Sequence, residues 1–306
     1  MRAFVFPGQG SQSVGMGKEL AEASRIAREL FEEVDEALGQ SLARLMAEGP
    51  MEELTLTENA QPAIMANALA TFRTSGIAIA KADCVAGHSL GEYTALAAAG
   101  SFDVATAARL LKLRGQAMQA AVPVGEGAMA ALLGADVGIA RAVADAAAQG
   151  EVCAVANDND PGQVVISGHR GAIERALEIA KEKGAKRAVL LPVSAPFHSP
   201  LMEPAARAME QALADAEIAR PLVPLYANVT AASVGDPAEI RTLLVDQVTG
   251  MVRWRESVAA MVEAGVDEFV EFGGKVLAPM IKRIAPGAKV TSVLTMADID
   301  ALVKEI

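Results

Sequence analysis

Short apolar runs alternate along this sequence with longer segments in which apolar residues return every three or four positions. Residues 3–6 form the first run and predict a strand, because a short apolar run before a glycine-rich loop is typical of a buried strand. Residues 19–38 form the first long segment and predict a helix. Its apolar face carries Leu20, Ile26, Leu30, Val34 and Leu38. This alternation predicts an α/β fold with a largely parallel central sheet.

The outer parts of the chain continue the alternation. Further helices are predicted at residues 42–47, 63–73, 93–99, 104–121, 201–216, 237–248, 254–264 and 277–284. Further strands are predicted at residues 84–86, 222–228, 268–271 and 290–294, the last of these ending the regular structure. We expect a loop at 57–62, with Gln61 directly before a helix. We expect the helix at 104–121 to bury Leu110, Leu113 and Ala117.

The middle of the chain follows a different order. The pattern predicts strands at 128–133, 153–157, 163–167 and 188–192, and helices at 139–148 and 171–183. A turn-rich link at 157–162 predicts a hairpin between the two adjacent strands. The order β-α-β-β-α-β is the split-βαβ, ferredoxin-like motif. We therefore predict a large α/β catalytic domain at 1–123 and 196–306, with a small ferredoxin-like domain inserted at 124–195.

Composition restricts the class of protein. Of the 306 residues, 52% are apolar and 21% are charged, which predicts a well-folded chain with a large core. No apolar run approaches the ~20 residues of a membrane span, and the N-terminal segment is too short for a signal peptide. Cys84 and Cys153 lie in apolar settings, which favours reduced thiols and a cytoplasmic location. Three histidines without metal-ligand spacing predict no metal site, and a net charge of −11 argues against a nucleic-acid surface.

Candidate chemistry centres on a Gly-x-Ser-x-Gly motif at residues 87–91. The motif follows a predicted strand and precedes an alanine-rich predicted helix, which is the context of a nucleophile elbow. Gly87 and Gly91 supply positions where a Cβ would clash in so sharp a turn. Ser89 is then exposed at a helix N-terminus, where backbone N–H groups stabilise an oxyanion. The alternative is a serine that only caps the helix.

Four further polar residues are candidates. Gln9 lies in a loop with two glycines and offers a backbone N–H to a ligand; the alternative is a plain strand-to-helix turn. The loop lacks the Gly-Lys-Ser/Thr of a phosphate-binding loop. His198 lies in a stiff, proline-rich loop, whereas we expect the backbone of His88 to matter more than its ring. Arg114 lies in a predicted helix and Gln61 lies directly before one; residues of these types are usually solvated in such positions.

Six motifs occur in register along nearly the whole chain. They are Phe-Pro-Gly-Gln-Gly-Ser-Gln at 6–12, Gly-His-Ser-Leu-Gly-Glu-Tyr at 87–93, Leu-Arg-Gly-Gln-Ala-Met at 113–118, Asn-Asp-Asn-Asp-Pro-Gly-Gln-Val-Val-Ile-Ser-Gly at 157–168, Pro-Val-Ser-Ala-Pro-Phe-His-Ser at 192–199, and Gln-Val at 247–248 ahead of Val-Arg-Trp at 252–254. Each motif alone is weak, but together they closely resemble the malonyl-CoA:acyl-carrier-protein transacylases of bacterial type II fatty acid synthesis.

The resemblance implies a hydrolase-like α/β core and a ping-pong transfer of malonyl from coenzyme A to a serine and then to the phosphopantetheine thiol of holo acyl carrier protein. It implies Ser89 as nucleophile and His198 as its base. The N–H groups of Gln9 and Leu90 would form the oxyanion hole. The resemblance further implies that Arg114 binds the malonyl carboxylate and that the Gln247 backbone carbonyl orients His198. It implies no cofactor, and we expect a monomer.

Physical chemistry supports these roles independently. A serine hydroxyl is a weak nucleophile until a base takes its proton, and histidine titrates near neutrality. No Asp or Glu occupies an obvious triad position, but a carbonyl also holds an imidazole tautomer. Arginine grips a carboxylate with two parallel hydrogen bonds, which raises the weight of Arg114. Phe197 directly precedes His198, so we expect its ring to line the acyl pocket unless it only braces the loop. Gln61 is a further candidate for substrate binding.

Several alternatives stay open. An acyl hydrolase would use the same elbow with water as the acceptor of the acyl group. A carrier-binding module would bind the carrier protein without catalysis. A malonyl transferase of a polyketide or malonate-decarboxylase system would catalyse the same transfer. Two segments, 250–251 and 271–275, depart from the family's usual residues at what we expect to be the pocket rim. An acidic carrier protein would need a local basic patch on this acidic chain. The candidates are Lys183, Lys186, Arg187, Lys275, Lys282 and Arg283.

Overall fold

A computed structural model describes residues 1–193 and 195–306. The strands in chain order are β1 (Arg2–Phe6), β2 (Cys84–Gly87), β3 (Gly127–Leu133), β4 (Cys153–Asp160), β5 (Gln163–His169), β6 (Arg187–Leu190), β7 (Leu225–Tyr226), β8 (Ser233–Val234), β9 (Glu268–Phe272) and β10 (Lys289–Val293). The helices are α1 (Lys18–Ala23), α2 (Arg25–Leu38), α3 (Leu42–Glu48), α4 (Met51–Thr55), α5 (Thr57–Thr74), α6 (Gly91–Ala98), α7 (Val104–Ala120), α8 (Val137–Ala148), α9 (Arg170–Ile179), α10 (Glu203–Asp215), α11 (Pro237–Thr249), α12 (Trp254–Glu263), α13 (Leu277–Ile284) and α14 (Met296–Glu305).

The central sheet has six strands in the order β10-β9-β1-β2-β7-β8, and all neighbours run parallel except β7 and β8. This confirms the predicted α/β class. Parallel strands buried on both faces need continuous apolar runs, and every residue of β2 is buried. β1 and β2 are paired through Phe6 and Gly87, so the loops that leave their carboxyl ends are neighbours. In open α/β sheets ligands bind outside the carboxyl ends of the strands, so this edge is where a site is expected.

A second sheet contains the middle of the chain. Its four strands are antiparallel in the order β4-β5-β3-β6, as in a ferredoxin-like motif. α8 and α9 cover one face with a small apolar core of their own. Met129, Ala131 and Val165 on the other face join the main core. The division of the chain into domains at 124 and 195 stays a prediction.

Two helical predictions need correction. The predicted helix at 19–38 is two helices, because Ser24 takes an extended conformation and its Oγ accepts a hydrogen bond from the backbone N–H of Ala27 to cap α2. As a result Ile26 is exposed rather than buried. The predicted loop at 57–62 is the start of α5, with Pro62 inside the helix. α5 crosses the core, so tertiary packing there overrides the local signal of the proline.

The buried face of α7 also differs from the prediction. Leu110 is buried as predicted and Ala117 is half-buried, but Leu113 is exposed. Other side chains that face inward at helical spacing are Ala107, Leu111, Arg114 and Met118. The predicted strand at 222–228 is short, covering Leu225–Tyr226. β4 extends through Asp160, into the stretch predicted as a turn, because Asp158 and Asp160 pair with β5. The two carboxylates also accept hydrogen bonds from Arg255 and Arg283. α4, β8 and the terminal helix α14 were not predicted. α14 begins with a capping box formed by Thr295 and Asp298.

Candidate active site

The Gly-x-Ser-x-Gly motif forms a sharp turn between β2 and α6. Ser89 stands at its tip with a φ of 53°, in the left-handed region that a non-glycine residue rarely adopts. A Cβ on Gly87 would lie 1.8 Å from the carbonyl oxygen of Gly91, and one on Gly91 would lie 2.3 Å from that of Phe6. This confirms the predicted steric reason for both glycines. The turn therefore presents the Ser89 side chain at the carboxyl edge of the sheet.

Ser89 Oγ is 2.8 Å from Nε2 of His198, and Nδ1 of the same ring is 2.8 Å from the backbone carbonyl oxygen of Gln247. A carbonyl only accepts, so Nδ1 carries the hydrogen and Nε2 presents a lone pair to the serine. Burial, followed by the charge of Arg114, lowers the pKa of His198 to about 3. The ring is therefore neutral at ordinary pH and is arranged as a base.

Arg114 is 1% exposed and extends from α7 to the nucleophile. One guanidinium nitrogen, Nη2, is 3.2 Å from Ser89 Oγ and donates to Oε1 of Gln247 at 2.8 Å. The other, Nη1, donates to Oε1 of Gln61 at 2.7 Å. Burial lowers the pKa of Arg114, but a guanidinium stays protonated in proteins. A fixed positive charge thus lies beside the reactive oxygen.

Two buried amides hold the elbow backbone. Asn228 accepts from the backbone N–H of Ser89 at 2.7 Å and donates to the carbonyl of Gly87 at 2.7 Å. The side-chain Nε2 of Gln247 donates to the carbonyl of Ser89 at 3.0 Å and to Oε2 of Glu92 at 2.7 Å. Burial raises the pKa of Glu92 to about 7. Sequence reasoning missed Asn228 and Glu92, although a glutamate in an otherwise apolar helix was a signal for the second.

A cavity of about 350 Å³ opens above Ser89 and His198. Gln9, Gln61, Leu90, Arg114 and Phe197 line it, so the structure brings these predicted site residues together. A Cβ on Gly8 would lie 2.6 Å from the carbonyl of His88, which shows how closely the Gln9 loop lies on the elbow. Gln247 is not among the lining residues; its side chain contacts Arg114 and the backbone of Ser89.

The second sheet supplies the opposite wall. Apolar side chains from β3, β5 and the loop after β6 face the cavity. Nε2 of His88 is 2.8 Å from Oδ1 of Asn159 on β4, so the ring of this histidine has a structural contact that we had not expected. The buried carboxylates of Asp158 and Asp160 pair with Arg255 and Arg283 of the main core. Arg283 is therefore already neutralised and is a poor member of the predicted docking patch.

Residues 1–193 and 195–306 hold no group of three His, Cys, Asp or Glu side chains placed to bind a metal ion. They also contain no helix long and apolar enough to cross a membrane. The thiols of Cys84 and Cys153 are free.

Comparison with known proteins gives consistent matches along the whole chain. Residues 3–278 match the model of the acyl transferase domain. A malonyl CoA-acyl carrier protein transacylase of Bacillus subtilis is 47% identical over 92% of this chain and 90% of its own. The crystal structure of an acyl-carrier-protein S-malonyltransferase from Bartonella henselae is 51% identical, with a TM-score of 0.97 over 99% of this chain and 98% of that one. A malonyl-transacylase in complex with a holo type II polyketide acyl-carrier protein is 40% identical, with a TM-score of 0.95 over 100% and 99% of the two chains. This chain belongs to the acyl transferase domain family and, within it, to the malonyl CoA-acyl carrier protein transacylases.

Proposed function

We propose that this chain transfers the malonyl group of malonyl-CoA to the phosphopantetheine thiol of holo acyl carrier protein through a malonyl ester of Ser89, supplying fatty acid elongation. The observation that carries the proposal is the buried guanidinium of Arg114, 3.2 Å from Ser89 Oγ. A malonyl thioester has a carboxylate two bonds from its reacting carbonyl. A fixed cation beside the nucleophile matches that arrangement, and an acetyl group has nothing to offer it.

In the first half-reaction Ser89 Oγ attacks the thioester carbonyl and passes its proton to Nε2 of His198. The tetrahedral oxyanion accepts hydrogen bonds from the backbone N–H groups of Gln9 and Leu90, two residues that line the same cavity. Collapse of the intermediate breaks the carbon–sulfur bond. The coenzyme A sulfur leaves with the proton from His198, and malonyl remains esterified to Ser89.

The second half-reaction runs the same steps with the carrier thiol as nucleophile. His198 takes the thiol proton, the sulfur attacks the ester carbonyl, and Ser89 Oγ leaves with the proton. The carbonyl of Gln247 serves both halves, because it keeps the hydrogen on Nδ1 and the lone pair on Nε2. A carboxylate is not required for that orientation.

The substrate itself increases the basicity of the site. The charge of Arg114 is one cause of the low pKa of His198. When the malonyl carboxylate pairs with Arg114, that repulsion weakens, so the pKa of His198 rises in the complex. The histidine becomes a better base when the acyl group that belongs in the site is present. An acetyl group would not produce this change.

A second kind of carrier protein is a candidate acceptor. The chain is also similar to a malonyl-transacylase bound to a polyketide carrier, so the alternative acceptor is a polyketide carrier protein. A hydrolase is a weaker candidate, because Arg114 has no role in it and His198 faces a carbonyl where a hydrolase triad has an acid. We also propose a cytoplasmic monomer, on the basis of the free buried Cys84 and the net charge of −11. Size-exclusion chromatography with light scattering tests the oligomeric state.

Intact-protein mass spectrometry tests the function directly. Mixing with malonyl-CoA should add the mass of one malonyl group, located on Ser89 by peptide mapping, and Ser89→Ala should stay unmodified. Adding a holo carrier protein should remove the group and add it to the carrier, while the same carrier without phosphopantetheine should leave the enzyme loaded. A fatty acid carrier and a polyketide carrier, compared by the rate of unloading, separate the two candidates. Loss of the malonyl group to water at the same rate without any carrier would refute transfer.

A further inference from the structure

Glu92 is a buried acid directly beneath the nucleophile elbow, and the proposed chemistry does not use it. It is the second residue of α6 and is 1% exposed. No other residue of that helix is charged, so nothing in the helix itself balances its charge. A buried ionisable group without a role in binding is costly, which suggests that this one has a function through its contacts.

Those contacts are with Gln247 and Asn228, the two residues whose side chains hold the elbow backbone. Oε2 of Glu92 accepts from Nε2 of Gln247 at 2.7 Å and from the backbone N–H of Asn228 at 3.2 Å. Gln247 also reaches Arg114 through Oε1 at 2.8 Å. Both hydrogens of the Gln247 amide are therefore committed, one to Glu92 and one to the carbonyl of Ser89.

This pattern fixes which way the Gln247 amide points. An amide can rotate by half a turn and exchange its oxygen and nitrogen with little change of shape. In the rotated state its oxygen would face the Ser89 carbonyl and Glu92, both acceptors, and its NH₂ would face the N–H groups of Arg114. Three hydrogen bonds would be replaced by three repulsive contacts. The acceptor at Glu92 thus helps to keep Oε1 of Gln247 directed at the guanidinium.

We propose that Glu92 is a positioning residue: it holds the Gln247 amide in the orientation that aims Arg114 at the carboxylate of the acyl group. This inference rests on the proposed function. A neutral glutamine at position 92 also presents an oxygen to Gln247, so the acceptor rather than the charge is the required feature. A protonated carboxyl keeps one acceptor oxygen as well.

Three variants test this, each assayed for kcat/KM with malonyl-CoA and with acetyl-CoA. Glu92→Gln should keep the wild-type malonyl-to-acetyl ratio within about threefold. Glu92→Met, which fills the space without an acceptor, should lower the ratio by about tenfold, the effect expected for a lost hydrogen bond to a charged group. Glu92→Asp, which shortens the side chain, should lower it in the same direction. Thr94→Val is the matched control, because Thr94 is buried in the same helix and its hydroxyl has no partner in the described structure.

A double-mutant cycle separates positioning from general damage. In a Gln247→Met background, which keeps the backbone carbonyl that orients His198, Glu92→Met should change the ratio no further. Melting curves show which variants are folded, and Glu92→Asp carries the test if Glu92→Met is not. Folded acceptor-free or shortened variants with the parent's ratio, or an undiminished effect in the Gln247→Met background, would refute the positioning role. A wild-type enzyme that shows no malonyl transfer would instead refute the proposed function.

Discussion

Arg114→Ala should cost the enzyme its preference for malonyl far more than its ability to transfer an acyl group. The guanidinium is buried and donates hydrogen bonds to three residues, Gln61, Gln247 and Ser89. Truncation leaves two of these, the amide oxygens, without a donor. That damage is present whether malonyl or acetyl occupies the pocket, so it lowers both rates and cancels in their ratio. What remains in the ratio is the contact between Arg114 and the substrate's own carboxylate.

The size of the change follows from that contact. A hydrogen bond to a charged group contributes about 1.5–3 kcal/mol, and a bidentate pair in a desolvated site falls at the upper end. Since about 1.4 kcal/mol is a factor of ten, the malonyl-to-acetyl ratio in kcat/KM should fall by about 10- to 150-fold. The 1% exposure of Arg114 favours the larger figure, because water does not screen the pair.

The assay measures kcat/KM for both thioesters with one carrier protein at fixed pH. Arg114→Lys keeps a charge without the planar fork and should give an intermediate ratio. Arg109→Ala is the matched control, since Arg109 is exposed on the same helix and bonds only to Thr106 at 3.4 Å among the described residues. A folded Arg114→Ala variant with the wild-type ratio would show that the guanidinium does not bind the substrate's carboxylate.

Three further predictions concern the base, the acyl pocket and the carrier. His198→Ala should slow acylation of Ser89 by about 10²-fold or more in quench-flow. Because the pKa of His198 is lowered to about 3, wild-type kcat/KM should not fall as the pH drops through 6.5. Glu92, with a pKa raised to about 7, also titrates in this range, so a fall that persists in Glu92→Gln would contradict the prediction for His198. Phe197→Ser should raise methylmalonyl use relative to malonyl by about tenfold, since Phe197 lines the cavity; a folded variant with the parent's ratio of kcat/KM would show that the ring only braces its loop. Transfer to an acidic carrier should slow with salt and with charge reversal at exposed lysines, and a rate that responds to neither would remove the patch. The lysines to reverse are Lys183, Lys186, Lys275 and Lys282.

The sequence predicted best the elements whose signal is local. The helix at 277–284 has the predicted bounds, and β2, the elbow and α6 follow in the predicted order. Glycine spacing and apolar runs act over a few residues, so the sequence displays them directly. The helix start at Thr57 failed for the opposite reason: a stretch with Asn59 and Pro62 favours a loop locally, and only packing across the core makes it helical.

The polar residues of the site show where local patterns end. Arg114 and Leu113 are adjacent on α7. Periodicity placed the leucine on the buried face, and an arginine on a helix is usually solvated, but in the structure Arg114 is buried and Leu113 is exposed. A buried arginine is tolerable because Gln61 and Gln247, distant in sequence, accept its hydrogens. Glu92 is tolerable for the same reason, through Gln247 and Asn228. Each of these groups would be unfavourable in the core alone, so a change at one should alter the others, and effects of paired substitutions among them should not add.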